Sequence, residues 1–211
     1  MAADLTSRMI YLLGELRREM NGAVADAMRY YGSRYGLNYG VSLPTIRSIA
    51  ATEPQNNDLA LYLYKQDVRE LRLTALHIAD PSKFYDSQEA WRDGITTSEI
   101  AEEMAFALLS KAEPFVQIYD SWRGSEQEFV VYAALMAAAR KGGDACTHAL
   151  ASLADVVQHY PSSRLAGQGV VAIMSAALAQ NLAQEGRNTL QSLPDSPTQE
   201  YILDEMSWRM E

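Results

Sequence analysis

Apolar residues recur along this chain at spacings of three and four, and strand-like alternation of apolar and polar positions is scarce. The pattern therefore predicts one helix after another. About twelve follow from the periodicity, near 4–19, 22–36, 43–52, 57–65, 67–79, 82–92, 98–111, 113–122, 126–141, 143–159, 162–181 and 197–210, with a short further one near 183–192. Local signals sharpen several ends. Ser125 with Glu128 and Thr96 with Glu99 have the spacing of a capping box, in which two side chains satisfy orphan amides reciprocally. Ser196, Pro197 and Gln199 combine a cap, a first-turn proline and a box partner. Pro44 is placed to open a helix in its first turn, where a missing N–H costs nothing. Gly142-Gly143, Asp80-Pro81 and Gly124 mark stops.

The helices carry an internal echo. Residues 130–140, VVYAALMAAAR, lie over residues 170–180, VVAIMSAALAQ, at an offset of 40, and residues 71–80, LRLTALHIAD, have a related composition. A helical period of that length is the mark of stacked helix pairs of the HEAT type. Small residues such as Ala133, Ala134, Ala137, Ala138 and Ala139 suit inner helices that must approach closely. The predicted fold is all-α: an α-α superhelix of HEAT-like repeats, one curved domain over residues 1–211, whose concave face is the natural binding surface.

Length and charge narrow the function. At 211 residues the chain fits one domain. No apolar run reaches the roughly 18 residues needed to cross a membrane. The N-terminal apolar stretch is broken by Gly14 and Glu15 and reads as an amphipathic helix, not a signal peptide. A single cysteine, Cys146, allows no intramolecular disulfide, which fits a reducing cytoplasmic setting. Lys plus Arg total 18 and Asp plus Glu total 27, a net charge of -9. That balance argues against a dedicated nucleic-acid binder, whose affinity rests on neutralising phosphates, but is compatible with a basic stripe on an acidic body. The densest cationic pairs are Arg17-Arg18 and Arg140-Lys141. There is no Gly-rich phosphate loop, no GxSxG and no HExxH, so nothing supports a nucleotide-dependent enzyme, a serine hydrolase or a metalloprotease. His77, His148 and His159 lack metal-ligand spacing, and no metal or cofactor is expected.

Met28-Arg29-Tyr30-Tyr31 leads into Tyr39-Gly40-Val41-Ser42-Leu43-Pro44-Thr45-Ile46-Arg47, and an Arg/Glu-spiked helix, DVRELRLTALHIADP, follows at 67–81. These segments resemble the DNA alkylation repair (AlkD-like) family of HEAT-like-repeat DNA glycosylases. The resemblance extends over residues 5–180 and is clearest in 22–141. The motif itself is structural: Gly40 allows a tight turn, Pro44 starts a helix, and Arg47 is placed to tie the loop down. The resemblance implies a cleft in which tryptophans hold a cationic alkylated base, a carboxylate stabilises charge as the glycosidic bond breaks, and arginine grips the backbone. Glu99 then falls where the family has a tryptophan and Glu103 where it has the catalytic aspartate. Tyr132 takes the place of the arginine and Ala172 that of a second tryptophan. Of four groups, only the carboxylate at Glu103 is retained.

Each candidate has a plainer reading. Glu99, Glu102 and Glu103 form either a carboxylate cluster in the groove or solvated acids favoured by a helix dipole. Trp91, Trp122 and Trp208 are either ligand platforms or packing residues, the latter being the expectation for each. Tyr132 is the aromatic expected to face the groove. Candidate phosphate contacts are Arg47, Arg69, Arg72, Arg123, Arg140 and Lys141, with Arg69, Glu70 and Arg72 also reading as a solvated face of local ion pairs. His77 reads as a packing residue and Cys146 as a small buried hydrophobe.

The expectation is a divergent family member acting as a non-catalytic binding module, with a protein segment or a structured nucleic acid in its groove. The alternative is a glycosylase excising alkylated purines (3-methyladenine or 7-methylguanine) with a rearranged site, using Glu103 with aromatics supplied from Tyr132 or elsewhere.

Overall fold

A computed structural model describes residues 2–32 and 35–209. Its helices are α1 (Ala2–Arg18), α2 (Gly22–Tyr30), α3 (Leu43–Ala50), α4 (Asn57–Tyr64), α5 (Arg69–Ile78), α6 (Phe84–Arg92), α7 (Ser98–Ala107), α8 (Phe115–Arg123), α9 (Glu128–Lys141), α10 (Gly143–Leu150), α11 (Leu153–His159), α12 (Arg164–Ala179), α13 (Ala183–Ser192) and α14 (Pro197–Ser207). Short 3-10 turns at Pro81–Lys83 and Leu109–Lys111 introduce α6 and follow α7. No strand is present among the described residues; the nearest thing is a single parallel bridge between Leu37 and Val68.

Contacts divide the chain into two compact units, Met1–Glu103 and Met104–Glu211. In the first, α5 packs against α3 and α4, and α1 lies on α3, α4 and α5. Helix α5 is enclosed on nearly every side, with Leu71, Leu73, Ala75, Leu76 and Ile78 buried. The aromatic centre of this unit is Trp91, fully buried, with Tyr64 at 4.8 Å and Phe84 at 6.4 Å between ring centroids. Its indole N–H donates to Ser87 Oγ at 3.1 Å, so the ring is buried without stranding a donor.

In the second unit α12 is the hub, packed on α9, α10, α11, α13 and α14. The two segments of the internal echo therefore lie against each other. Close approach explains their small residues: a Cβ added at Gly169 would stand 2.6 Å from Leu135 Cδ1. Ala133, Ala134, Ala137 and Ala138 are all buried, as close packing of inner helices requires.

Several ends form as read. Ser42 caps α3 with Pro44 in its first turn, and Ser196 Oγ accepts from Gln199 N at the start of α14. Gly142 and Gly143, at φ of 70° and 52°, end α9 in the left-handed region open to glycine. Helix 183–192 is present at those residues. Four expectations are corrected. The predicted helix 143–159 is two helices, because Ser152 turns its hydroxyl to Ala149 O and to the Tyr119 hydroxyl, breaking the ladder at Ala151-Ser152. The Ser125–Glu128 box does not form: Gln127 is the cap, and Glu128 accepts from the Ser163 hydroxyl. The cap of α7 is Thr97, whose Oγ1 accepts from Ile100 N, one residue after the position expected. Helix 22–36 ends at Tyr30, and positions 33 and 34 lie outside the described residues.

Candidate functional site

The first unit holds two charged clusters, one at each end of α5. The first lies under the loop 36–41. Gly40 has φ of 71° and sits so close to α2 that a Cβ would be 2.2 Å from Asn21 O, so only glycine makes this turn. The loop is fastened by the Leu37–Val68 bridge, with Leu37 N donating to Asp67 O and Arg69 N to Leu37 O, each at 2.9 Å. Glu70, fully buried, accepts from the amides of Tyr39 and Val41. Arg69, 3% exposed, donates to Val41 O and Glu70 at 2.9 Å and makes a two-pronged contact with Glu99 at 2.5 and 2.7 Å. The Tyr35 hydroxyl completes the chain, donating to Glu99 at 2.5 Å; burial and the Glu99 charge hold that phenol well above its ordinary pKa, so it stays a donor.

This overturns the view of Arg69 and Glu70 as a solvated face. They are buried because their partners come from the loop and from α7, roughly thirty residues away in sequence. It is Arg69, not Arg47, that ties the loop down. Glu99 is committed to Arg69 and Tyr35 and is a structural anion.

The second cluster joins α3, α5 and α7. Glu103 on α7 is 3% exposed. Its Oε1 accepts from Arg47 Nε of α3 at 2.9 Å and from His77 Nε2 of α5 at 2.6 Å, and its Oε2 accepts from Arg47 Nη2 at 2.8 Å. Burial alone would raise the Glu103 pKa; the hydrogen bonds and charges of His77 and Arg47 outweigh it and lower the value to about 2. Neither acid of the pair Glu99 and Glu103 is thus a solvated first-turn acid. The Arg47 side chain is 48% exposed, so its guanidinium is held by a buried anion while presenting itself to solvent. Sequence reasoning missed His77 here. The available signal was that its helix is enclosed, so a polar ring on it must find a partner.

The remaining candidates lie in the second unit. Trp122 is fully buried on α8 and Tyr132 is 5% exposed on α9, so neither presents an open ring face. Lys141 pairs with Glu113 at 2.7 Å and lies over the Phe115 ring at 5.4 Å. Arg140 is exposed, with its guanidinium 5.7 Å from the Phe106 centroid. Arg123 bridges Asp120 and Asp155. Trp208, expected to pack, is 63% exposed beside Arg209; Cys146 is buried as expected. Among the described residues no group of His, Cys, Asp and Glu could hold a metal, and no helix is long and apolar enough to cross a membrane.

Helices α3 and α5 in the first unit and α9 and α12 in the second pack on one another, as the inner helices of HEAT-like repeats do, and the all-helical fold is of that class. The sequence profile described as "DNA alkylation repair enzyme" matches residues 12–190, and the chain belongs to that family. A solved structure described as "A new family of proteins related to the HEAT-like repeat DNA glycosylases with affinity for branched DNA structures" has the same fold, with a TM-score of 0.73, 16% identity, and coverage of 96% of this chain and 95% of that one. A comparison with curated proteins gives no match.

Proposed function

We propose that this protein is a non-catalytic member of the DNA alkylation repair family that binds structured DNA through its phosphate backbone. The observation that carries the reading is the state of Glu103. A carboxylate that stabilises a developing sugar cation, or positions the attacking water, must face the reaction with its charge unspent. Both Glu103 oxygens instead accept from Arg47 and His77, so the negative charge is neutralised by residues of its own fold. The same contacts turn the carboxylate into a support. They fix Arg47 in one orientation with half of its side chain in solvent, which is what a phosphate contact needs. The affinity for branched DNA stated for the structural neighbour extends the reading to junctions and other bent duplexes, where phosphates of several strands converge. At a net charge of -9 the binding is modest and falls steeply with salt.

Two measurements on the purified protein test this together: release of 7-methylguanine or 3-methyladenine from methylated duplex, and titration of a four-way junction and a linear duplex of equal length at low salt. The expected result is no base release, tighter binding of the junction, and weaker binding by Arg47→Ala. Release that disappears in Glu103→Gln makes the protein a glycosylase with a rearranged site. No binding to either DNA directs the reading to a protein partner.

A further inference from the structure

The C-terminal ends of α4 and α6 flank a cleft of about 200 Å³, lined by Tyr64, Lys65, Arg72, Ala90, Asp93 and Gly94. One feature of its lining is anomalous. Tyr64 is 2% exposed, and its hydroxyl, shut from solvent, has no hydrogen-bond partner. A buried hydroxyl without a partner is costly, and packing alone would be served as well by phenylalanine. The ring is held tightly against Trp91 on one side, while a Cβ at Gly94 would stand 2.2 Å from Tyr64 Cε1 and 2.9 Å from its hydroxyl. The lining is therefore built around this phenol.

The cleft carries unspent donors. Most of the carbonyls at the two helix ends are satisfied: Leu61 O by Lys65 N, Tyr62 O by Gln66 Nε2, Leu63 O by Gln66 N, Glu89 O by Asp93 N, Trp91 O by Gly94 N and Arg92 O by Ile95 N. Burial raises the Tyr64 pKa, so the phenol remains an O–H donor. Arg72 uses its guanidinium on Gln66 O, Thr96 Oγ1 and Asp67, which leaves part of its five-donor fork unspent. Lys65 adds an exposed ammonium at the rim. Among the lining side chains the acceptor is the exposed Asp93 carboxylate, which lies on the rim and is free to turn outward.

We propose that this cleft is a phosphate-binding site, in which Tyr64, Lys65 and Arg72 donate to one tetrahedral oxyanion. A phosphate fits the volume, accepts from these donors, and gives the Tyr64 hydroxyl its missing acceptor. Because that hydroxyl is shut from solvent, the exposed Lys65 and Asp93 side chains at the rim have to turn aside for the anion to reach it. The phosphate is either free or the terminal phosphate of a nucleic acid, and the site is separate from the Arg47–Glu103–His77 cluster, so it stands or falls independently of the function proposed above.

The test follows the amide signals of Lys65, Asp93 and Gly94 in the full-length protein while inorganic phosphate replaces chloride at fixed ionic strength. Saturable shifts at these residues are expected. Tyr64→Phe, which keeps the ring against Trp91 and Gly94, should weaken the affinity about tenfold, the effect of losing one hydrogen bond to a charged group. Lys65→Gln, at an exposed position, should weaken it comparably without touching the core, so a folding defect in the first variant leaves the test intact. No saturable shift in the wild type, or unchanged affinity in Lys65→Gln, overturns the proposal. Duplexes with a 5′-phosphate or a 5′-hydroxyl then identify the source. Tighter binding of the phosphorylated duplex, lost in Lys65→Gln, assigns the site to a DNA end; equal binding of both, with inorganic phosphate still bound, assigns it to the free anion.

Discussion

Replacing Glu103 by glutamine removes one charge, keeps the side-chain length and leaves a carbonyl oxygen for Arg47. The Glu103 pKa is lowered from 4.5 to about 2. That gap corresponds to about 3 kcal/mol of stability at neutral pH. Its sign is fixed by the direction of the shift. Because the folded value lies below the unfolded one, the contribution is complete above the unfolded pKa and is lost as pH falls through the folded one. Between pH 7 and pH 3 about 2 kcal/mol of it disappears, since the unfolded chain takes up the proton first. Stranding a buried charge usually costs more, about 3–5 kcal/mol, but Arg47 is half in solvent and rehydrates when released. Glu103→Gln should therefore destabilise the protein by about 2–3 kcal/mol at pH 7 and by about 1 kcal/mol or less at pH 3. Urea unfolding at both pH values measures this, and the fully buried Trp91 provides a fluorescence signal from the unit that contains Glu103. Equal stability of the two proteins at pH 7 would refute the reasoning, and so would a difference that does not change with pH.

Two further substitutions test the loop anchor. Arg69→Met leaves Glu70 fully buried without its charged partner and releases Val41 O and Glu99; a loss of about 3–5 kcal/mol is expected in urea unfolding, and a loss below about 1 kcal/mol would show that the loop amides alone hold Glu70. Gly40→Ala combines a left-handed backbone at φ of 71° with a Cβ 2.2 Å from Asn21 O. It should cost about 2 kcal/mol or more, and an unchanged thermal midpoint would mean that the loop has another conformation of equal energy.

The fold was legible where local chemistry and tertiary structure agree. Ser196-Pro197, Pro44 and Gly142-Gly143 set helix ends through their own backbone preferences, and the structure uses them as such. Reading failed where a distant residue claimed a side chain. Periodicity runs unbroken through 143–159, yet Ser152 bonds to Tyr119, 33 positions earlier, and the helix stops. Glu128 has box spacing from Ser125, but Ser163 reaches it from 35 positions away. A local rule describes the best use of a group among its neighbours in sequence, and a buried partner from elsewhere outbids it.

The candidate site shows the same limit at a higher level. In the sequence Arg47 reads as a loop tie or a phosphate contact, Glu103 as a retained carboxylate and His77 as a packing residue. What decides their chemistry is that the three meet, across sequence separations of 26 and 56 residues. Matching residue types to a family's positions tells which groups are present but not which charges remain unspent. At Glu103 the carboxylate survives in type while its charge is consumed by Arg47 and His77. A position can thus keep a carboxylate while that carboxylate is engaged elsewhere, without any change at the position itself: a guanidinium and an imidazole arriving from other helices suffice. Under the non-catalytic reading proposed above, adding aromatic rings would not by itself give base excision; the Arg47 and His77 contacts would first have to be removed to free the carboxylate, at the cost of the stability they supply.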